Sequence, residues 1–394
     1  MLNRHQYQEF VSSLQAGYAP QYAGVPYRAF DTETPDSGEI VEDSLRPAED
    51  VVVLDPCRIT GTPVDEWLLS KAKGGTFRLP PKCVRKFRNA EIVGWRSLVT
   101  PRGFYLSASH WINNDWDHVR KSMDDGYVLA MDRLYRPVCD KVEPHKIGGT
   151  GFFLTYLEPG NHGSFVFRTL PKLIYFLELG LHIDYVIAPD RSAALREVLD
   201  HFGFAEVPIF TCKETIGAAF QTLYVADDFE AEGILGSDTL NAFRKMATSG
   251  TTERRPAGAR KKLFVSRRLN TGYRPAYRPL LNEAALEKRL LTLGFDTIFP
   301  ETLGFMAQVR QFFEADTIVG ASGSGMLNAA FAPPGARVVD IESFHYTVGQ
   351  HAKIYGSSGK DYAFTFGQFA SSEGAEIVRE WTVNPQDVID ALGR

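Results

Sequence analysis

The sequence predicts an α/β protein, and three observations lead to that class. Of the 394 residues, 44% are hydrophobic and 23% are charged, a composition that is typical of globular proteins and excludes disordered, collagen-like and coiled-coil chains. From about residue 150, short apolar runs alternate with amphipathic segments of helical period, which favours a parallel sheet flanked by helices. The chain is also longer than the roughly 250–300 residues that one core usually serves, so we expect two domains.

The first 150 residues carry the weaker pattern. The runs at 51–55, 90–95 and 103–109 alternate apolar and polar residues between Pro and Gly, so we expect a β-rich region there. The acidic stretch at 31–50 is typical of a solvated loop or face.

The pattern becomes clear in 151–230. It predicts strands at 152–157, 183–189 and 207–212 and helices at 164–180 and 192–204. Pro171 should start or kink the first helix, and Ser192 should cap the second.

A polar stretch at 228–262, rich in Gly, Thr and charge, is the best candidate for a domain boundary. We therefore predict an N-terminal, acceptor-side domain at 1–230, β-rich over 1–150 and α/β over 151–230, and a C-terminal, nucleotide-sugar-binding domain at 231–394. The second domain should contain strands at 262–266, 295–299, 316–320 and 336–342 and helices at 282–294, 302–315 and 324–332. We expect Asn282 and Thr302 to cap two of these helices, and Asn384 to open a last one after a strand at 376–383.

Charge and cysteine content exclude several classes of protein. The 43 basic and 48 acidic residues give a net charge of −5, which provides no general attraction to nucleic acid. The four cysteines form no C-x-x-C pair, so neither a disulfide framework nor a structural zinc site is expected. No apolar stretch reaches the roughly 20 residues that cross a bilayer, and the start lacks a signal-peptide core. We expect a soluble, cytoplasmic protein, and peripheral membrane contact stays open.

The most informative segment is the glycine loop, residues 320–325. A buried strand runs into the loop, and a helix follows directly, so its glycines and the helix start favour a bound anion such as a diphosphate. Ser322 and Ser324 add hydroxyl groups. A tight turn without any ligand fits the same spacing equally well. The loop is no dinucleotide fingerprint, because Asn328 stands where the third glycine is needed, and it lacks the elbow glycine of serine hydrolases.

Charged residues flank the loop. Arg267 and Arg268 follow the strand at 262–266, where either guanidinium could pair with a phosphate. Asp340 ends the next strand, and Glu283 starts a helix; each could accept hydrogen bonds from ribose hydroxyls. The simpler alternatives are a surface carboxylate for Asp340 and a favourable helix-dipole contact for Glu283.

Together these segments resemble the carboxyl half of glycosyltransferase family 61, over about residues 150–343. The shared order is a strand with Ser-Arg, then R-x-x-x-N-E, a Gln-bearing helix, the glycine loop, F-x-P-P-G and a strand ending in an acid; GNHGSFVFRTLPKL at 160–173 resembles an upstream motif. The resemblance implies a GT-B type fold, with two Rossmann-like domains facing a cleft. It also implies metal-independent sugar transfer that inverts the anomeric centre, without a cofactor, since the nucleotide sugar is a co-substrate. The residues expected to hold this donor are Arg267, Arg268, Arg278, Asn282, Glu283, Gln308, Ser322, Gly323, Ser324, Gly325, Asn328 and Asp340.

The sequence departs from the family pattern where a general base is expected. Ser322 and Ser164 stand where the family usually has His, and Arg168 stands where it often has an acid. Because an inverting transferase needs a base for the acceptor hydroxyl, we name His162 and Glu158 as candidates, with Ser164 in the same motif.

The sequence therefore predicts an inverting glycosyltransferase that moves a sugar from a nucleotide-sugar donor to a cell-surface or capsular polysaccharide, presented as a glycan or a lipid-linked glycan. Two alternatives remain: a non-catalytic nucleotide- or glycan-binding protein with a degenerate transferase fold, and a serine hydrolase. A short D-x-D at Asp115-Trp116-Asp117 is taken as a surface loop rather than a metal site, so no metal is predicted. The donor sugar, the linkage and the oligomeric state are left open.

Overall fold

A computed structural model describes most of the chain. The described residues are 39–62, 64, 66–93, 97–100, 103–106, 128–130, 133–135, 145–155, 158–215, 218–227, 230–231, 233–249, 261–269, 278–343, 347–373 and 378–393. The D-x-D at 115–117 lies outside them. The described part is mixed α/β with several sheets, which confirms the predicted α/β class. The β-rich N-terminal region stays a prediction, because much of 1–150 lies outside the described residues.

The strands and helices are numbered here in chain order. The strands up to residue 226 are β1 (Glu39–Ile40), β2 (Glu49–Val53), β3 (Arg58–Gly61), β4 (Gly75–Leu79), β5 (Val84–Val93), β6 (Ser97–Thr100), β7 (Gly103–Leu106), β8 (Val128–Ala130), β9 (Arg133–Tyr135), β10 (His145–Phe153), β11 (Tyr185–Ala188), β12 (Ile209–Thr211) and β13 (Ala218–Ala226). The later strands are β14 (Glu230–Ala231), β15 (Ile234–Leu235), β16 (Lys261–Val265), β17 (Asp296–Ile298), β18 (Ala315–Ala321), β19 (Arg337–Glu342), β20 (Asp361–Phe366), β21 (Gln368–Phe369) and β22 (Trp381–Thr382). The α-helices are α1 (Glu66–Lys71), α2 (His162–Ser164), α3 (Leu170–Glu178), α4 (Ala193–His201), α5 (Ser237–Thr248), α6 (Glu283–Thr292), α7 (Phe305–Phe313), α8 (Val348–Ser357) and α9 (Pro385–Ala391).

The chain divides into two compact units. The first holds the described residues up to Glu49 together with Pro80–Glu232, and the second holds Asp50–Leu79 and Gly233–Arg394. The sequence patterns gave no signal that 50–79 would join the second unit. The predicted domain division at 230/231 stays a prediction.

The first unit is organised around an eight-stranded sheet with the order β12-β11-β10-β13-β5-β6-β7, and β1 also pairs with β5. The β12-to-β13 part is parallel and the β13-to-β7 part is antiparallel. A π-helical segment, Phe165–Thr169, joins α2 to α3. Pro171 lies in the first turn of α3, as predicted. The Phe176 ring of α3 stacks on Phe152 of β10 with centroids 3.8 Å apart, which fixes this apolar helix on the sheet.

The second unit contains a parallel six-stranded sheet with the order β17-β16-β18-β19-β20-β3. From β16 the chain passes through α6 to β17 at the edge, and then through α7 to β18 on the other side of β16. The strand order therefore reverses between β16 and β18, and ligands of such sheets bind at the carboxyl ends of the strands at this switch point. Leu286 and Leu290 of α6 and Val388 of α9 pack on one core cluster with Phe264 and Val339 of the strands.

Three expectations about this unit are wrong. The stretch 228–262, in which the polar sequence predicted no helix, contains α5, whose buried Phe243 and Met246 give it an apolar face. Asn282 does not cap α6, because its side-chain amide donates to Val383 O at 2.6 Å and its oxygen accepts from Val383 N. Thr302 lies in a 3₁₀ turn and donates to Phe299 O, so that α7 begins after Gly304 instead.

Other local predictions are confirmed. Ser192 accepts a hydrogen bond from Leu195 N and caps α4, and Asn384 accepts one from Gln386 N at the start of α9. Among the described residues, no helix combines the length and the apolar character that crossing a membrane requires.

Candidate donor site in the second unit

The two loops at the switch point carry the residues on which the predicted donor site depends. Ser266 and Arg267 directly follow β16, and the glycine loop consists of the last two residues of β18 and the four residues after it. Residues 323–325 are partly exposed, whereas Ser322 on one side and Met326 on the other are buried. The loop therefore presents its backbone to solvent at the edge of the sheet where ligands of this fold class bind.

Two arginines converge on one atom of this loop. Arg267 Nη1 donates to the Ser322 carbonyl oxygen at 2.6 Å, and Arg278 Nη2 donates to the same oxygen at 3.3 Å. Arg278 is 5% exposed and has a φ of 49°, and its own carbonyl accepts from Trp381 Nε1 at 3.0 Å. Arg267 is only half-buried. Two guanidinium groups thus stand beside the glycine loop, and that of Arg267 is within reach of solvent.

Glu283 fixes the strand end that carries Arg267. Its Oε1 accepts from Ser266 Oγ and from Arg267 N, both at 2.7 Å, and the residue is 4% exposed. Burial raises the pKa of the Glu283 carboxyl, while these hydrogen bonds and the neighbouring arginines oppose that rise. Glu283 therefore serves to position Arg267, and its bonded oxygen faces the protein rather than a ribose.

Buried hydrogen bonds of Ser322 anchor the glycine loop. Ser322 Oγ donates to Glu342 Oε1 at 2.6 Å and lies 3.0 Å from Thr347 Oγ1, which also donates to Glu342 Oε1 at 2.7 Å. Ser322 is 2% exposed, so its hydroxyl anchors the loop while its carbonyl receives the arginines.

The conformation of Gly323 makes the close approach of Arg267 possible. Its φ is 156°, in a region that favours glycine, and a Cβ built there would lie 3.3 Å from Arg267 Nη1. We expect Gly323→Ala to lower the free energy of unfolding by about 1–3 kcal/mol, because of backbone strain, and to weaken donor binding by displacing Arg267. Urea denaturation and calorimetry with a nucleoside diphosphate would measure both effects.

Gly325→Ala is the matched control. A Cβ at Gly325 would meet Pro300 at 3.6 Å and Val265 at 3.7 Å, which are ordinary van der Waals contacts. Equal losses in the two variants would contradict the role given to Gly323.

Asp340, which the sequence predicted to accept hydrogen bonds from a ribose, is buried in the protein. It is 0% exposed, and its Oδ2 accepts from Tyr355 Oη at 2.6 Å and lies 2.6 Å from His351 Nδ1. Burial and the neighbouring Asp340 carboxylate raise the pKa of Glu342 to about 7. Asp340, Glu342 and His351 are also the described residues whose ligand atoms lie close enough together to hold a metal ion.

Four other residues that were predicted to bind the donor make contacts within the protein instead. Asn328 Nδ2 donates to Gln308 Oε1 at 2.8 Å, and Gln308 Nε2 donates to Pro300 O; these buried side chains tie α7 to the 3₁₀ helix Ser324–Phe331. Asn282 holds Val383, as described above. Arg268 pairs with Glu287 at 2.6 Å and lies over the Phe299 ring. The structure thus brings together Arg267, Arg278, Glu283 and 322–325, and it gives the other four residues structural contacts.

Residues 162–339 match the sequence model of the family described as Glycosyltransferase 61. This match supports glycosyltransferase family 61. It spans slightly less than half of the chain and includes Arg267, Arg278 and the whole glycine loop. No curated protein gives a significant match to the chain.

The family 61 match begins at His162, in the first unit, where the sequence places the candidate bases. Glu158 is partly exposed, with its Oε2 3.5 Å from Arg168 Nη1 and 3.4 Å from Asn161 Nδ2. Asn161 caps α2 by accepting from Ser164 N at 3.2 Å, which leaves His162 half-buried at the helix start. Ser164 is 1% exposed, so its hydroxyl faces the interior.

Sequence reasoning missed Glu342, Thr347, His351 and Tyr355. Asp340 and Glu342 are two residues apart on one strand, so their side chains share a face, and this spacing is a signal that could have been used. His351 and Tyr355 lie on α8, which the sequence patterns did not predict because most of its residues are buried and its apolar pattern is not one-sided.

Proposed function

We propose that the protein is an inverting, metal-independent glycosyltransferase of GT-B type that transfers a sugar from a nucleotide-sugar donor to a cell-surface or capsular glycan, acting in the cytoplasm. The family match supports a glycosyltransferase. One observation supports a nucleotide-sugar site that works without a metal ion. Arg267 and Arg278 converge on the glycine loop at the switch point.

The positive charge of this site replaces the charge that a metal ion supplies to the leaving diphosphate in other transferases. A chain with a net charge of −5 does not attract anions as a whole, so binding depends on local groups. Arg267 is half-buried, and it can turn its guanidinium from the Ser322 carbonyl toward a phosphate without leaving the loop. Hydrogen-bond donors that reach the leaving diphosphate stabilise the charge that develops on it.

We assign to His162 the role of the general base that takes the proton of the acceptor hydroxyl. An imidazole has an ordinary pKa close to neutrality, which suits a general base. His162 lies inside the matched segment at a half-buried helix start, whereas Glu158 lies outside it and is already near Arg168 and Asn161.

One observation favours the alternative of a non-catalytic nucleotide- or glycan-binding protein. The two positions where family 61 usually has His are Ser164 and Ser322 here, and both side chains are buried. Neither hydroxyl offers a group to a bound acceptor. Turnover therefore has to be measured separately from binding.

The full-length protein should be screened by thermal shift against common nucleoside diphosphates and nucleotide sugars, because a ligand bound to the native state raises Tm by mass action. We expect a rise for one nucleotide family and release of its nucleoside diphosphate when an acceptor glycan is added. A brief exposure to EDTA should leave the rate unchanged. A rate that EDTA abolishes and millimolar Mg²⁺ or Mn²⁺ restores would contradict the metal-independent mechanism. Binding without turnover would favour the non-catalytic alternative.

A further inference from the structure

Three side chains with metal-ligating groups meet beneath the glycine loop. Asp340 and Glu342 lie two residues apart on β19 and so project from the same face, toward His351 in the first turn of α8. The three side chains each place a ligand atom within 4.8 Å of the other two. Asp340 and Glu342 are 0% exposed and His351 is 1% exposed. The cluster is fully enclosed by protein.

Each of the two carboxylates is satisfied on one oxygen only. Glu342 Oε1 accepts from Ser322 and Thr347, and Asp340 Oδ2 accepts from Tyr355 and lies in hydrogen-bond contact with His351. The second oxygens, Asp340 Oδ1 and Glu342 Oε2, are buried and have no hydrogen-bond partner among the described residues. A buried carboxylate oxygen without a partner is costly, so these two atoms favour a ligand beyond those that the described residues supply.

The charge of the cluster also favours a bound cation. Two carboxylates lie side by side in the interior, and His351 is the one basic group that pairs with either of them in the described part of the chain. Buried charges are normally paired or coordinate a metal ion. When both carboxylates are ionised, one negative charge stays uncompensated even with His351 protonated.

We propose that Asp340, Glu342 and His351 bind a divalent transition-metal ion of the Zn²⁺ class. The two unpartnered carboxylate oxygens and a ring nitrogen of His351 would supply three ligands, a donor set of oxygen and imidazole nitrogen that suits Zn²⁺. Tyr355 orients Asp340 from outside that set. Mg²⁺ fits poorly, since it keeps several waters and this site is closed.

The site is distinct from the proposed diphosphate site, and it does not depend on the proposed function. It departs from the sequence-based expectations of no structural zinc site and no metal, which rested on cysteine spacing, on the D-x-D and on the family resemblance and did not consider His351. Because Glu342 also accepts from Ser322, the ion would stabilise the base of the glycine loop without contacting the donor.

The test uses the full-length chain without a polyhistidine tag. Since the site is closed, the protein should be unfolded with a chelator and then refolded with Zn²⁺, with Mg²⁺ or without metal. We expect about one equivalent of Zn²⁺ to survive gel filtration, as measured by mass spectrometry of the metal, and Tm to be higher than in the metal-free and Mg²⁺ samples. X-ray absorption at the zinc edge should show one imidazole nitrogen and carboxylate oxygens at about 2.0–2.2 Å.

Glu342→Gln and His351→Asn should lose the bound ion, while Asp361→Asn should keep it. Asp361 is a half-exposed carboxylate on the neighbouring strand β20 that pairs with Arg337, which makes it a matched control. Equal Tm with and without Zn²⁺, no retained ion, or retention in both site variants would overturn the proposal. If the site variants do not fold, the absorption spectrum of the wild-type protein decides, because sulfur ligands there would place the ion elsewhere.

Discussion

Arg267→Ala is expected to weaken binding of a nucleoside diphosphate roughly 10- to 100-fold, because a hydrogen bond to a charged group contributes about 1.5–3 kcal/mol. Arg267 is the half-buried arginine whose guanidinium contacts the glycine loop, and Glu283 fixes its backbone. Titration calorimetry with the nucleotide identified by thermal shift would measure the change. Arg267→Lys should lose less, because it keeps the charge but not the planar, two-pronged donor.

Arg268→Ala is the control for this prediction. The two arginines are adjacent in sequence and carry the same charge, but Arg268 pairs with Glu287 and lies over Phe299. We expect its removal to change nucleotide affinity by less than about threefold, since a partly exposed charge that is already paired with Glu287 acts on a ligand only through screened, longer-range attraction. A similar loss in both variants would mean that general charge, rather than the contact with the loop, controls binding. Unchanged affinity in Arg267→Ala would remove this residue from the donor site.

His162→Ala is expected to lower kcat by roughly 100-fold or more, because a positioned general base contributes about 10²–10⁴ to the rate. Donor affinity should stay unchanged, because a general base acts on the acceptor hydroxyl rather than on the donor diphosphate. Initial rates at saturating donor and acceptor would measure this fall in kcat.

Glu158→Gln distinguishes the two candidate bases. It keeps the size and hydrogen-bonding capacity of the side chain near Asn161 and Arg168 but removes its charge. We expect a smaller fall in kcat than in His162→Ala. A larger fall would transfer the role of base to Glu158, and normal rates in both variants would exclude the two residues together.

The parts of the fold that could be predicted are those that local sequence determines. Four of the six parallel strands of the second unit, β16 to β19, and the turn at the glycine loop follow from periodicity and from glycine spacing, whereas β3 and β20 were not predicted. Ser192 caps a helix by bonding to a residue only three positions away. The cap predicted for Asn282 failed because its partner, Val383, is 101 residues distant. Propensity rules do not include such long-range competition for a side-chain amide.

Only part of the candidate donor site could be predicted from the sequence. Arg267 follows from the chemistry of a strand end, and Arg278 from the resemblance to family 61. Asp340 was expected to face a ribose, but the structure encloses it with His351 and Tyr355. Those two residues come from a helix that is buried on most sides, so the amphipathic pattern by which helices are recognised is absent there.

The edge strand β3 has a consequence for how the polypeptide is made. β3 pairs with β20, so a strand from residues 58–61 completes a sheet whose other members lie after residue 260. During synthesis β3 therefore leaves the ribosome some 300 residues before its partner, and at 5–20 residues per second it waits for about 15–60 s. A fragment beginning at residue 233 would lack β3 and expose the open edge of β20 to pairing with other chains. The second unit is thus completed last and should be expressed with its amino-terminal strand.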